Sequence, residues 1–175
     1  MLSVSRMCEG LAACGAQVSV ITTNAGLPSF PVTSLGKTQV LNGVNVTYYQ
    51  AETWLGHIWS TDLIDNLPFH YEGVDLVHMS SIWQPLGIEV QRYAHIYQKP
   101  VIQTPRGSLG PYSLRNGWWK KIPYYYLREL PYLKKASALH YTSVQEQQEA
   151  ESLHLNIPSF ILTTLKEFSF ALLSD

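Results

Sequence analysis

The 175-residue chain is predicted to fold as an α/β domain built on a doubly wound parallel sheet. Three observations carry this. Short β-branched runs alternate with helix-length segments along most of the chain, the pattern that builds βαβ units with helices on both sheet faces. Most of those runs stop at turns that contain Gly, Pro or Asn, residues that punctuate strands. The composition is 46% hydrophobic and 14% charged, with a net charge of −1. That is enough apolar material for one sizeable core, with little bulk pull toward nucleic acid or anionic membrane.

Residues 2–14 read as a helix, with Leu2, Met7, Leu11 and Cys14 near one face and Gly15 as a left-handed stop. Gln17–Thr23 is a β-branched strand that ends at Asn24-Ala25-Gly26. The Pro- and Gly-bearing stretch 27–36 is a loop. Lys37–Leu41 and Val44–Gln50 flank Asn42-Gly43, a strong hairpin signal because both turn positions need positive φ. Ala51–His57 is read as an aromatic connector, followed by a helix from Ser60 to about Asn66 with Ser60 or Thr61 as cap. Gly73 breaks, and Val74–Met79 forms a short buried strand. Pro85 opens a helix to about Tyr97, and a turn at Gln98-Lys99-Pro100 leads into the strand 101–104.

A loop over 105–117 precedes an aromatic helical stretch, residues 118–136, whose Pro123 and Pro131 predict a kink or two helices. Ala138–Thr142 is a strand. Ser143 caps the helix Val144–Leu153 and forms with Glu146 an S-x-x-E capping box, each side chain satisfying a backbone N–H. Asn156-Ile157-Pro158 turns into a last strand, Ser159–Thr163, and residues 163–175 have no assignment.

Cys8 and Cys14 are the two cysteines. On one helix they face different ways, so a disulfide between them is not expected and a reducing compartment is the default. No run of about 18 apolar residues occurs, and Glu9 interrupts any leader-like apolar core. A cytoplasmic location is the expectation.

The order of elements has one gap. The chain opens on a helix with no strand before it, whereas in the 3-2-1-4-5 arrangement the first strand lies at the sheet centre. The strands at 17–23 and 74–78 are therefore expected to face each other across a gap of one strand, with unpaired backbone along both edges.

The sharpest functional signal is Val101–Arg115, VIQTPRGSLGPYSLR. A strand stops at Pro105, and Arg106 and Gly107 open the loop beyond its carboxyl end, where open α/β sheets bind ligands. Gly107 allows close backbone approach, and Arg106 offers a planar fork of donors to phosphate or carboxylate. The plainer reading is a strand-to-helix turn with a solvated arginine.

Several segments together resemble the N-terminal domain of glycosyltransferase family 4, retaining enzymes of the GT-B fold. LAACGAQVSVITT is similar to that family's helix-Gly-strand, with Ala16 where His is usual. VDLVHMSSIW resembles its D-l-v-H-x-H-x-x-W strand, keeping His78 and Trp83 and placing Ser80 at the second His. KPVIQTPRGSLGPYSLR resembles P-y-v-x-t-P-[HR]-G-m-l-x-P-w-a-l, and ALHYTSVQEQ resembles a-l-h-a-T-s-x-x-E. The resemblance implies a Rossmann-like, acceptor-binding half-enzyme over residues 1–162, an unassigned tail at 163–175 and no C-terminal donor domain. Its E-x7-E motif does not occur in this chain, and Thr163-Thr164-Leu165-Lys166 stands where the family has P-N-G. A chain truncated at both ends and inactive alone is the expectation, with a misplaced start and a frameshift or premature stop after about Leu162 as explanations.

By the same resemblance the substrate-binding candidates are His78, Trp83, Arg106 and Gly107, with no catalytic residue assigned. His78 is either a hydrogen-bonded core histidine or a neutral imidazole contacting acceptor or donor. Trp83 could stack on a sugar ring or pack beneath the next loop. Glu146 reads as a helix cap alone. Lys120, Lys121, Arg128, Lys134 and Lys135 with interleaved Trp and Tyr form either a solvated helix face or an interfacial segment, residues 118–135, that meets a lipid-linked acceptor. His57, His70, His95, His140 and His154 have no ligand spacing. Implied partners are a sugar acceptor, a nucleotide-sugar donor used as substrate, and a separately encoded donor domain. No cofactor, metal or nucleic acid is expected. A non-catalytic sugar- or partner-binding module and a non-functional fragment are the alternatives. An unrelated nucleotide-binding protein lacks support, since neither G-x-G-x-x-G nor G-x-x-x-x-G-K-[ST] occurs.

Overall fold

The computed structural model describes residues 2–80, 82–110 and 123–163. Helix α1 (Leu2–Ala13) leads into β1 (Ser19–Thr23), and β2 (Thr38–Leu41) and β3 (Val44–Tyr49) form a hairpin. β3 runs parallel to β1 and antiparallel to β2. Asn42 and Gly43 both take positive φ, 50° and 80°, as the hairpin signal required. The Thr38 and Thr47 hydroxyls meet across the ladder at 2.9 Å. Cys8, Val44 and Val46 form the core beneath α1.

The second sheet holds β6 (Val77–Ser80), β7 (Val101–Thr104), β8 (Ala138–Tyr141) and β9 (Ser159–Ile161) in that spatial order. Every pairing in it is parallel, so the α/β expectation is met. Helices α2 (Thr61–Tyr71), α3 (Pro85–Ile96), α4 (Leu130–Leu133) and α5 (Val144–Glu151) complete the order.

No ladder joins β1 to β6 among the described residues; each pairs on one side only. This agrees with the gap expected at the sheet centre. Helices bridge it instead. Leu63, Leu67 and Tyr71 recur every fourth residue on one face of α2 and pack with Tyr49 of β3, Ala94 of α3 and Val101 of β7. Ile21 of β1 and Val77 and Met79 of β6 pack against this same cluster. The Tyr71 hydroxyl donates to the Val90 carbonyl at 2.6 Å and ties α2 to α3.

Three expectations need correction. The connector at 51–57 is in part a second hairpin, β4 (Glu52–Trp54) and β5 (His57–Trp59). Its turn residues Leu55 and Gly56 have φ of 49° and 78°, so the same backbone forms without an Asn to announce it. Helix α2 passes Asn66 and Pro68 to reach Tyr71, because its stripe of Leu63, Leu67 and Tyr71 anchors the last turn in the core. Strand β6 starts at Val77 rather than Val74. Within the aromatic stretch, residues 125–129 form a π-helical turn that runs into α4, where Pro131 sits in the first turn. Pro131 is accommodated by this change of pitch. Residues 111–122, including the basic pair Lys120 and Lys121, lie outside the described residues, as do 164–175 of the tail.

Candidate functional site

Three loops leave the carboxyl ends of β6, β7 and β8, and side chains tie them together. The β6 loop holds Trp83, whose φ is 72°, unusual for a bulky side chain. Its backbone N–H donates to Glu129 Oε1 at 3.1 Å, and its indole Nε1–H donates to the Ser108 carbonyl in the β7 loop at 3.2 Å. The half-buried Trp83 ring also packs beside Tyr125, with centroids 5.9 Å apart. The indole thus ties Trp83 to the next loop, and its backbone N–H ties it to the π-helical turn.

In the β7 loop Arg106 and Gly107 are both left-handed, with φ of 52° and 71°. The Gly107 N–H donates to Glu146 Oε1 at 2.7 Å. The other carboxylate oxygen accepts from the Thr142 N–H at 2.8 Å and the Thr142 hydroxyl at 2.7 Å. Ser143 does cap α5, its hydroxyl accepting from the Glu146 N–H at 3.1 Å. The reading of Glu146 as a cap alone fails, since its side chain joins the β7 loop to the β8 turn. Charge-assisted acceptors of this kind are the stronger hydrogen bonds, which explains how a carboxylate is tolerated at 6% exposure.

Beneath the loops lies a polar cluster. His78 Nε2, His140 Nδ1 and Thr104 Oγ1 are each 3.1 Å from the other two. His140 Nε2 lies 3.0 Å from the Leu162 carbonyl, and its ring stacks on Phe160 at 5.1 Å. Burial first, then the facing His140 and the Arg106 guanidinium, push His78 down to about 4, so it is neutral at neutral pH. Arg106 also bears on Cys8 of α1, whose thiol is raised chiefly by burial, then by Glu9, with Arg106 opposing.

Of the residues singled out in the sequence, Arg106 and Gly107 follow the end of β7, and His78, the second residue of β6, reaches Thr104 at that end through its ring, with Trp83 bracing the loop beside them. Thr104, His140, Glu129 and Glu146 were not recognised as part of this arrangement. His140 follows the same strand-end logic as His78 and could have been found by it. Glu129 is 5% exposed and is raised to about 7 by burial, with the Trp83 N–H opposing. Its sequence context, flanked by Arg128 and Leu130, gave no sign of this. No group of three His, Cys, Asp or Glu among the described residues could hold a metal ion. No helix among them is long and apolar enough to cross a membrane.

The arrangement brings a cation, a neutral imidazole and left-handed backbone together near the carboxyl end of β7, a combination that suits a ligand bearing both hydroxyl and anionic groups. The family model for a glycosyl transferase 4-like domain matches residues 2–158. No curated protein matches the chain.

Proposed function

Because this chain belongs to the glycosyl transferase 4-like family, we propose that it is the acceptor-binding half of a retaining glycosyltransferase. It moves a sugar from a nucleotide-sugar donor to a polysaccharide or glycolipid acceptor. The single observation that carries this reading is that the His78 ring lies close to Arg106, just beyond the end of β7, with Glu146 holding the Arg106-Gly107 turn at 2.7 Å. Arg106 supplies a fixed positive charge for a phosphate or for acceptor oxygens. His78 contacts a hydroxyl, and Trp83 borders the sugar while its indole N–H holds Ser108. Transfer needs donor phosphates to be positioned and charge to be stabilised from both sides of a cleft. A donor-binding domain therefore completes the site.

Contact with a lipid-linked acceptor involves the aromatic stretch 118–135 on a cytoplasmic membrane face. Tyr126 and Leu127 are 61% and 76% exposed, and Arg128, Lys134 and Lys135 are exposed near them in the chain. This pairing of apolar and basic side chains suits a membrane interface.

The test is incorporation of radiolabel from a panel of nucleotide sugars into lipid and polysaccharide extracts, with this chain, a separately expressed donor domain, or both. Label that requires both proteins supports the proposal. No label under any combination removes it in favour of a non-catalytic binding module.

A further inference from the structure

The proton order within the buried cluster beneath the loops can be worked out from its distances. A neutral imidazole carries one ring proton. His140 Nε2 lies 3.0 Å from the Leu162 carbonyl oxygen, which can only accept, so with both rings neutral the His140 proton sits on Nε2 and Nδ1 bears a lone pair. If His78 also presented a lone pair at Nε2, two lone pairs would confront each other at 3.1 Å. One Thr104 proton would then have to serve both. Thr104 is fully buried, so its hydroxyl has no recourse to bulk water. One arrangement gives each donor its own acceptor. His78 Nε2–H donates to Thr104 Oγ1, the Thr104 hydroxyl donates to His140 Nδ1, and His140 Nε2–H donates to the Leu162 carbonyl.

We infer that Thr104 and His140 are positioning residues that lock His78 as the Nε2–H tautomer. Its Nδ1 lone pair is then left to accept a hydrogen bond from a ligand hydroxyl. No hydrogen bond to Nδ1 occurs among the described residues. A nitrogen that can only accept repels a phosphate or carbonyl oxygen and welcomes a hydroxyl. The lock therefore makes His78 select the sugar part of a ligand, and leaves anionic oxygens to Arg106. The stack of His140 on Phe160, with ring planes 3° from parallel, keeps the second ring from turning and so holds the direction of the chain. The ligand half of this inference rests on the reading of His78 as a substrate contact; the proton order does not.

The experiment is long-range 1H–15N correlation NMR on the full 15N-labelled chain at pH 8 without ligand, with assignments from single-histidine variants. The expected result is a single Nε2–H tautomer for both His78 and His140 in the wild type. In His140→Phe the Thr104 hydroxyl is freed to donate to His78 Nε2, so the His78 Nδ1 resonance moves upfield toward a mixture of tautomers. A wild-type His78 that is Nδ1–H or mixed overturns the inference even if the variant fails to fold. A His78 that remains wholly Nε2–H in folded His140→Phe overturns the role of His140. Methyl α-D-glucopyranoside and inorganic phosphate are then titrated separately. The glycoside is expected to shift the His78 Nδ1 resonance, and phosphate is not. A locked tautomer whose Nδ1 ignores the glycoside would keep the proton order and remove the reading of His78 as a sugar contact.

Discussion

Glu146 accepts from Gly107 and from both donors of Thr142, so it links two loops that share no ladder. Glu146→Gln puts an amide NH2 against an N–H or O–H and should lower stability by about 1–3 kcal/mol, the range for a buried polar group left unsatisfied. Urea denaturation measures this; a midpoint equal to the wild type's would mean that the Gly107 tie contributes nothing. Glu129 and His78 set opposing pH dependences. Glu129 titrates near 7 in the folded chain against an ordinary 4.5. Between those values the folded state holds a proton that the unfolded state lacks, so stability falls as pH rises through the window. The cost above it is on the order of 3 kcal/mol at about 1.4 kcal/mol per unit. His78 behaves in the opposite sense: lowered from 6.5 to about 4, it costs stability as pH falls through that range. Glu129→Gln should therefore gain on the wild type steadily from about pH 4.5 to 7 and hold its advantage above. A difference that does not change with pH would refute the buried-acid assignment.

At the scale of elements, the second hairpin shows where local chemistry and local sequence part. Leu55 sits at φ 49° and is 80% exposed, so its side chain gains little from burial while its backbone is disfavoured. Leu55→Asn should stabilise the chain by up to about 1 kcal/mol, seen as a raised urea midpoint; a lowered one would mean that Leu55 packs in a way its exposure conceals. The first hairpin was legible because Asn42-Gly43 states its turn type in two residues. The second was not, since Leu gives no such signal. The span of α2 beyond Asn66 was not legible, because the Leu63-Leu67-Tyr71 stripe is a tertiary anchor, visible only once the cluster it enters is known. The parallel strands and their order of alternation were readable from β-branched runs and turn residues. The place of Arg106 and Gly107 beyond β7 was readable because strand ends gather there. Glu146 and Thr104 were not, because a cap and a strand-end threonine have good local explanations. Only the fold brings Gly107 to the one and His140 to the other.

At the scale of the whole molecule, two sheets that share no ladder among the described residues are held by one apolar cluster. Leu67 is fully buried within it, and Leu67→Ala should cost about 2–5 kcal/mol. Since Ile21 and Val77 lean on the same cluster from different sheets, thermal unfolding followed in the far and near ultraviolet should give one coincident transition. Two separated transitions would mean that the sheets fold independently. A cluster shared in this way also fixes β6, which carries His78 and is held from below by Val77 and Met79. The central claim, that this site takes a sugar through His78 and Arg106, is tested most directly by saturation-transfer NMR on the full chain with a panel of methyl glycosides. The expected result is saturation of sugar ring protons in the wild type and a several-fold loss in Arg106→Ala and His78→Ala, with circular dichroism unchanged. Transfer that is absent from every glycoside, or undiminished in both variants, would contradict it.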